Sequence, residues 1–177
     1  MTVTADELAY AFGLIRDIPD YPEPGVLFRD ITPMLADGTA FATVVEALAE
    51  PVRSAADVVI GVEARGFLVG AAVALAAGVG VVPVRKAGKL PRVAASRSYQ
   101  LEYGSATLEL PEGGVAPGTR AFLVDDVLAT GGTLRASCEL VEQVGGSIAG
   151  IAVLLELGAL GGRARLTGHQ VHALLSS

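Results

Sequence analysis

Asp125 and Asp126 stand side by side in front of a short loop of small residues. A carboxylate can accept two O–H bonds at once, so an adjacent pair suits an uncharged polyol such as a ribose. The loop consists of Ala129, Thr130, Gly131, Gly132 and Thr133. Its backbone N–H groups, with those of a helix that begins there, can hold a phosphate because they lack intrahelical partners and lie at the positive end of the helix dipole. The pattern therefore predicts a site for a sugar phosphate.

This loop differs from the common nucleotide-binding motifs. No Lys follows Gly132, as a P-loop requires, and the chain contains no G-x-G-x-x-G pattern. The phosphate is therefore expected to bind backbone N–H groups and the hydroxyls of Thr130 and Thr133. A turn-capping role for the two acids is the alternative, but capping needs one Asp rather than two.

The segments around the loop predict an α/β fold with a mainly parallel central sheet flanked by helices. Apolar runs predict strands at residues 58–62, 79–84, 121–124 and 148–155. Helical patterns cover residues 67–77 and 134–144, and residues 99–101 and 106–110 resemble the arms of a hairpin. Because parallel strands end at one edge of a sheet, residues that follow different strands are expected to share one site.

Residues 66–84 carry no charge and are as long as a membrane span. Gly78, Gly80 and Pro83 interrupt them, so we interpret this segment as a helix followed by a strand.

The first 53 residues predict three helices separated by an irregular, proline-rich segment. Thr4 and Glu7 form a capping-box pattern, which predicts a helix that runs to about Arg16. A short helix is expected at Thr32, as the cap, and Pro33, and a longer one at residues 39–53.

Basic residues are concentrated in one part of the chain. Residues 64–101 contain no Asp or Glu, although the net charge of the chain is −6. The cations there are Arg65, Arg85, Lys86, Lys89, Arg92 and Arg97. A segment of one sign beside a phosphate loop favours a second anion such as pyrophosphate, whereas a solvated basic face is the alternative, above all for Arg92 and Arg97.

The composition narrows the class of protein. A length of 177 residues fits one domain, and the negative net charge argues against bulk attraction to nucleic acid or to an anionic membrane. The single cysteine, Cys138, fits a reducing cytoplasm and is expected to be a small buried residue. His169 and His172 are expected at the surface.

Residues 123–133 resemble the phosphoribosyl pyrophosphate (PRPP) motif of the type I phosphoribosyltransferases. The resemblance assigns Asp125 and Asp126 to the ribose hydroxyls and residues 129–133 to the 5′-phosphate. Arg65 and the basic residues Arg85, Lys86 and Lys89 would then bind the pyrophosphate. Mg²⁺ would arrive on the substrate oxygens, because this ion keeps its waters and is often held through substrate phosphates.

Further segments are similar to the adenine phosphoribosyltransferases in particular. Residues 20–35 look like that family's amino-terminal hood, to which residues 1–35 would contribute, and residues 63–67 look like its pyrophosphate loop. Residues 85–91 and 99–104 resemble its basic segment and its mobile catalytic hairpin loop. These segments follow the family's order over nearly the whole chain.

The resemblance implies a single domain that transfers the phosphoribosyl group of PRPP to adenine, giving AMP and pyrophosphate in purine salvage. The backbone of Leu27 and Arg29 would read the edge of adenine, and Phe28 and Leu157 would enclose its faces. Glu102 would bond the purine N7 and manage its proton. Arg85 would reach the site of a neighbouring subunit, which implies a homodimer.

Two alternatives stay open at this point. The same chemistry could act on xanthine, guanine or hypoxanthine, or the fold could serve a PRPP-sensing regulator without catalysis. Such a regulator is expected to carry a DNA-binding module or a basic face, and the sequence offers neither.

Overall fold

The computed structural model describes residues 3–100 and 104–177. The helices are α1 (Ala5–Gly13), α2 (Thr32–Ala36), α3 (Gly38–Ala49), α4 (Gly66–Ala77) and α5 (Gly132–Gln143). The strands are β1 (Arg16–Pro19), β2 (Leu27–Asp30), β3 (Val58–Val62), β4 (Gly80–Lys86), β5 (Val93–Gln100), β6 (Ser105–Pro111), β7 (Arg120–Leu128), β8 (Ser147–Glu156) and β9 (Val171–Ser176). Two short 3-10 helices lie at Gly158–Leu160 and Gly162–Leu166. The chain divides into two compact units, Met1–Ala47 and Leu48–Ser177.

The larger unit is built on a seven-stranded sheet in the order β5-β6-β4-β3-β7-β8-β9. The five strands from β4 to β9 pair in parallel, and the β5–β6 hairpin joins β4 in antiparallel pairing. The prediction of a mainly parallel sheet is confirmed. The carboxyl ends of β3, β4 and β7 therefore meet at one edge, which is where ligands bind in such sheets.

Helices cover both faces of this sheet. Successive side chains of β3 point to opposite faces, and because all five residues of this strand are buried, both faces must be covered. Ile60 and its i ± 2 neighbours belong to a buried cluster with Leu134, Cys138 and Leu140 of α5. On the opposite face, a Cβ on Gly70 of α4 would come within 3.0 Å of the Gly61 Cα, so this helix lies close against the β3 backbone. Burial on both faces explains why the predicted strands read as continuous apolar runs.

The smaller unit holds α1, α2, most of α3 and the two-stranded β1–β2 ribbon. Thr4 caps α1 in the predicted capping box with Glu7. The helix ends at Gly13 rather than near Arg16, because residues from Arg16 onward pair with β2. Thr32 is not the cap of α2; it is the first helical residue, and its N–H donates to Asp30 Oδ1 at 2.9 Å.

The larger unit contains one strand that is longer than predicted and another that was not predicted. Strand β7 does not end at Val124 but continues to Leu128, because β8 pairs with it as far as Glu156. Strand β9 was not expected, and His172 lies within it, half-buried and 6.1 Å between ring centroids from Phe122. His169 is also half-buried, so neither histidine is a simple surface residue.

The uncharged segment at residues 66–84 forms α4 and the first part of β4, separated by Gly78 in the left-handed conformation (φ 75°). None of the helices within residues 3–100 and 104–177 has the length and hydropathy that a bilayer crossing needs. Cys138 is buried as expected, and burial raises the pKa of its thiol to about 12, so it is inert as a nucleophile.

Candidate active site

A cavity of about 300 Å³ opens at the carboxyl edge of β3 and β7. Its lining residues come from the loop after β3, the end of β7 and the start of α5: Glu63, Ala64, Arg65, Asp125, Asp126, Val127, Leu128, Ala129, Thr130, Gly131, Thr133 and Leu134. The fold thus brings the acid pair, the small-residue loop and one predicted pyrophosphate cation into one cavity.

Gly131, in the middle of the small-residue loop, is the N-cap residue of α5. Gly131 has φ 79°, a conformation that glycine adopts without steric cost, and its carbonyl accepts the first helical bond from the Arg135 N–H at 2.9 Å. Within the described part of the chain, no side chain caps this helix. The free N–H groups of its first turn are consequently available to an anion.

The loop lies backbone to backbone on Gly162 in the second 3-10 helix. A Cβ on Gly162 would overlap the carbonyl oxygen of Ala129 and would lie 2.9 Å from the Gly131 nitrogen. Arg163, the next residue, pairs with the buried Glu156 at the end of β8 and donates to the carbonyl of Val171 at 2.9 Å. The second 3-10 helix is therefore attached to strands β8 and β9 through Arg163, and it packs against the backbone of the small-residue loop through Gly162.

Asp125 and Asp126 are both buried although they lie at the end of a cavity. Asp125 Oδ1 accepts the N–H of Asp126 at 2.9 Å. Burial raises the pKa of Asp125 well above its usual value, and the neighbouring Asp126 charge raises it further. Burial and repulsion disfavour the charged form of this pair. Hydroxyl groups of a ligand that donate hydrogen bonds to the two carboxylates would therefore stabilise that charged form.

Replacing Asp125 by asparagine is expected to stabilise the fold while weakening substrate binding. A carboxyl whose pKa rises on folding binds more protons in the folded state, so stability falls as pH increases from 3.8 toward the raised pKa. Asparagine removes this penalty and keeps an oxygen for the Asp126 N–H. Thermal melts at several pH values should show a higher Tm for the variant at neutral pH and a smaller difference at low pH; a lower Tm at neutral pH would contradict the assignment of strain to this carboxyl.

Arg65 crosses from the β3 loop to the acid pair. Its Nη2 lies 2.7 Å from Asp126 Oδ2, but among the described residues this buried oxygen has no partner in hydrogen-bond geometry. The loop before it contains a cis peptide bond between Glu63 and Ala64. A Cβ on Gly66, the next residue, would lie 2.5 Å from Asp125 Oδ1, so only glycine allows this approach. The cation is thereby held against the acids.

Glu63, in the loop after β3, connects that loop to the basic segment at the end of β4. The Glu63 carboxylate accepts the Lys86 N–H at 2.9 Å and lies 3.4 Å from Arg85 Nε. Arg85 also donates to the carbonyl of Lys89 at 3.3 Å. These contacts attach the segment to the cavity rim, although Arg85, Lys86 and Lys89 do not line the cavity itself.

Comparison with known proteins decides the family. A model of the phosphoribosyl transferase domain matches residues 32–166. Adenine phosphoribosyltransferases from Saccharopolyspora erythraea and Streptomyces coelicolor are 61% and 58% identical to this chain, covering 97% and 92% of it and 93% and 92% of their own lengths. The chain belongs to the adenine phosphoribosyltransferase family.

Solved structures agree with this membership. The enzyme from Rhodothermus marinus superposes with a TM-score of 0.92 at 44% identity, covering 98% of this chain and 100% of that one. The enzyme from Saccharomyces cerevisiae, crystallised with an imino-altritol 1,6-bisphosphate and adenine, gives a TM-score of 0.92 at 36% identity and covers 97% of this chain and 100% of its own. The predictions of the type I fold and of a phosphoribosyltransferase acting on adenine are confirmed.

Gly132 is the residue of the loop 129–133 of this transferase that is not among the cavity's lining residues. A Cβ there would lie 3.2 Å from Tyr99 Cδ2 and 3.6 Å from Arg165 Nη1. The predicted contact of Gly132 with phosphate therefore rests on its backbone alone.

The predicted base-binding residues fall in two places. In the smaller unit, Leu27, Phe28 and Arg29 lie on β2; Phe28 is half-buried with its ring edge-on to Tyr21 at 5.2 Å, and Arg29 donates to Asp17 at 2.6 Å. In the larger unit, Leu157 follows β8 and its N–H donates to the Leu128 carbonyl at 2.9 Å. Glu102 lies outside the described residues.

The sequence analysis includes Glu63, Gly66 and Tyr99 in segments that resemble the family, but it assigns them no individual role, and it does not mention Gly162. Glu63 orders the basic segment, Gly66 and Gly162 permit close backbone approach, and Tyr99 contacts the phosphate loop. A glycine beside Arg65 was a usable signal for close packing. The contacts of Gly162 and Tyr99 leave no local signal in the sequence, because their partners lie more than thirty residues away.

The acid pair also offers what a substrate-bound Mg²⁺ needs. Asp126 Oδ2 is a buried oxygen with spare acceptor capacity, and carboxylate oxygens are the ligands that Mg²⁺ prefers. The described residues contain no group of three or more His, Cys, Asp or Glu side chains arranged to hold a metal. These donors fit an ion shared with substrate, reached directly or through its waters.

Proposed function

We propose that this chain transfers the 5-phosphoribosyl group of PRPP to N9 of adenine and releases AMP and pyrophosphate. The observation that supports this proposal most is the single cavity lined by the acid pair, the uncapped phosphate loop and Arg65. PRPP has a phosphate at one end, a polyol in the middle and a pyrophosphate at the other end. The three sets of groups that line the cavity match the three parts of that molecule in charge and in hydrogen-bonding capacity.

The chain's own residues act mainly by positioning and by charge. The N–H groups of residues 129–133 and the Thr130 and Thr133 hydroxyls hold the 5′-phosphate. Asp125 and Asp126 accept the ribose hydroxyls and orient C1′, where positive charge develops as the pyrophosphate leaves. Arg65 stabilises the leaving anion, with Arg85, Lys86 and Lys89 adding positive potential from the rim. Bound Mg²⁺ would supply further charge neutralisation on the pyrophosphate.

The family resemblance assigns Leu27, Phe28 and Arg29 in the smaller unit, and separately Leu157 in the larger unit, to the base, and these assignments stand here as proposals. An apolar face is available in the exposed or half-buried side chains of Leu27 and Phe28. Glu102 is proposed to handle the proton at the purine N7, since a carboxylate shielded from water can have its pKa raised toward neutrality.

The purified chain should be incubated with Mg²⁺, PRPP and one nucleobase at a time, and nucleotide formation followed by chromatography. We expect AMP from adenine, at a kcat/KM at least about tenfold above that for hypoxanthine, guanine or xanthine, because a buried polar edge discriminates exocyclic groups strongly. Preferential turnover of another base would reassign the substrate. Binding of PRPP without any nucleotide product would favour a PRPP-sensing regulator.

We further propose that the active form is a homodimer that pairs through α4. This helix contains no charged residue, and its outer face exposes Leu68 (57%) and Leu75 (84%). Exposed apolar helix faces mark association sites. The Arg85 guanidinium lies 5.8 Å from the ring centroid of Phe67 at the start of the same helix. A second copy on this face would therefore meet the residue that family resemblance assigns to the neighbour's site.

Replacing Leu75 by glutamate is expected to convert the dimer to a monomer. The side chain is exposed in the isolated chain, so the substitution should leave the Tm of the fold nearly unchanged while it puts a charge into an apolar contact. Light scattering after size-exclusion chromatography measures the mass. Leu160→Glu, at a position 48% exposed in the first 3-10 helix, is the control expected to remain dimeric. A dimeric Leu75→Glu would exclude α4 from the interface.

A reducing cytoplasm is the compartment that we propose for this reaction. The single cysteine of the chain is buried and its pKa is raised, so the fold uses it as a packing residue.

A further inference from the structure

Tyr99 makes a contact that the transfer reaction, as described above, does not use. It lies near the end of β5, and its hydroxyl is 3.0 Å from Thr133 Oγ1 in the first turn of α5. The bond joins residues 34 positions apart, from the hairpin to the phosphate loop. Thr133 lines the PRPP cavity, whereas Tyr99 lies behind it.

The side chain of Tyr99 is held in place by more than this bond. Its ring packs against the buried cluster of the larger unit and stands next to Gly132, where a Cβ would come within 3.2 Å of Cδ2. Two residues earlier on the same strand face, Arg97 pairs with Glu139 of α5 at 2.5 Å. The strand is thus attached to α5 at two successive positions, and the phenol oxygen has a fixed place behind the loop.

The direction of the hydrogen bond matters for an anion. Each hydroxyl has one hydrogen to donate and lone pairs to accept. If Thr133 donates to Tyr99, its hydrogen is not available to the cavity. If Tyr99 donates to Thr133, the Thr133 hydrogen is free to point at a phosphate oxygen, which only accepts. A bound phosphate therefore selects the chain Tyr99 O–H to Thr133 O–H to phosphate.

We propose that Tyr99 is a positioning residue for PRPP: its hydroxyl occupies the acceptor side of Thr133 and turns the Thr133 hydrogen toward the 5′-phosphate. This inference rests on the proposed function, because it takes the phosphate to lie in the loop of residues 129–133. It adds a residue that does not touch substrate and acts through Thr133. Chained hydroxyls of this kind strengthen one another, so the outer bond contributes to the inner one.

The Tyr99→Phe variant removes the hydroxyl and keeps the ring beside Gly132. We expect the KM for PRPP and the dissociation constant of ribose 5-phosphate to rise about 3- to 10-fold, the loss that one hydrogen bond represents. The KM for adenine and kcat at saturating PRPP should stay within about twofold of their wild-type values. The Tm should stay within about one degree of that of wild type. Tyr10→Phe is the matched control for PRPP affinity. Tyr10 lies on α1, and its phenol hydroxyl donates to Asp37 at 2.9 Å, so this variant removes a similar hydrogen bond from the smaller unit.

A double-mutant cycle separates the proposed role from a structural one. Thr133→Val removes the inner hydroxyl, and in that background Tyr99→Phe should cause no further loss of affinity for PRPP. Equal losses in both backgrounds, or a Tyr99→Phe variant with the affinity of wild type, would overturn the inference. A rise in the KM for adenine equal to that for PRPP would also overturn it, since a general distortion would then be the cause.

The same measurements keep the two proposals apart. If wild type makes AMP and Thr133→Val weakens PRPP binding while Tyr99→Phe does not, only the role of Tyr99 fails. If wild type binds neither PRPP nor ribose 5-phosphate, the proposed function fails and the role of Tyr99 fails with it.

Discussion

Replacing Asp126 by alanine is expected to lower kcat/KM for PRPP by about 10²- to 10⁴-fold, because the ribose contacts proposed for this carboxylate amount to two charge-assisted hydrogen bonds. The residue is only 5% exposed and lines the cavity beside Arg65. Its removal also leaves the Arg65 guanidinium without the carboxylate that lies 2.7 Å from it. Initial rates at varied PRPP and saturating adenine, together with calorimetric PRPP titration, measure the effect.

The control is Asp57→Ala, which breaks the ion pair between Asp57 and Arg120 at 2.7 Å. Both variants lose an Asp–Arg pair, but Asp57 precedes β3 and therefore lies at the opposite edge of the sheet from the cavity. We expect its kcat/KM to stay within about threefold of wild type, since exposed ion pairs contribute little. Equal losses in the two variants would show that the effect at Asp126 is structural, and wild-type turnover in Asp126→Ala would remove the acid pair from ribose binding.

The second large effect is expected at Gly162, which is not among the residues that line the cavity. In Gly162→Ala the new methyl group would overlap the Ala129 carbonyl and crowd the Gly131 nitrogen and Leu128 Cδ1, both 2.9 Å away. The phosphate loop must then move, and a displacement of about 1 Å near the reacting groups costs about 10²-fold in rate. Steady-state kinetics should show a kcat/KM for PRPP lower by about that factor.

Gly158→Ala is the matched control for Gly162→Ala. Gly158 belongs to the adjoining 3-10 helix, and among residues 3–100 and 104–177 its added Cβ would meet only the Ser177 carbonyl oxygen, at an ordinary 3.4 Å. We expect near-normal kinetics and a similar Tm. Circular dichroism and thermal melts of both variants separate displacement of the loop from loss of the fold. Normal PRPP kinetics in Gly162→Ala would mean that the loop does not depend on this contact.

The local sequence pattern was sufficient to predict an element wherever the interactions that determine it join residues close in sequence. The strand at Val58–Val62 and the C-terminal glycine of α4 follow from β-branched runs and from the left-handed conformation that Gly78 permits. The capping box on α1 likewise lies within four residues. Boundaries that depend on pairing partners were missed, as at the end of β7, because the extra hydrogen bonds to β8 are not encoded in the strand itself.

The candidate site likewise has features that follow from the sequence and features that depend on the tertiary structure. The acid pair and the small-residue loop lie next to each other in sequence, and a parallel sheet brings Arg65 to them because β3 and β7 are neighbours in register. The basic segment was placed correctly at the end of β4, but its attachment through Glu63 depends on side-chain geometry across two strands.

The sequence by itself determined the α/β class, the polarity of the site and the phosphoribosyltransferase family, because the residues that carry these properties are contiguous and chemically specific. The tertiary structure decided which groups support the loop: Gly162 beneath it and Tyr99 behind it, joined to it by backbone packing and one hydrogen bond across more than thirty residues. The physical reason is that close packing depends on distances between distant segments, and a side-chain type alone carries no information about those distances.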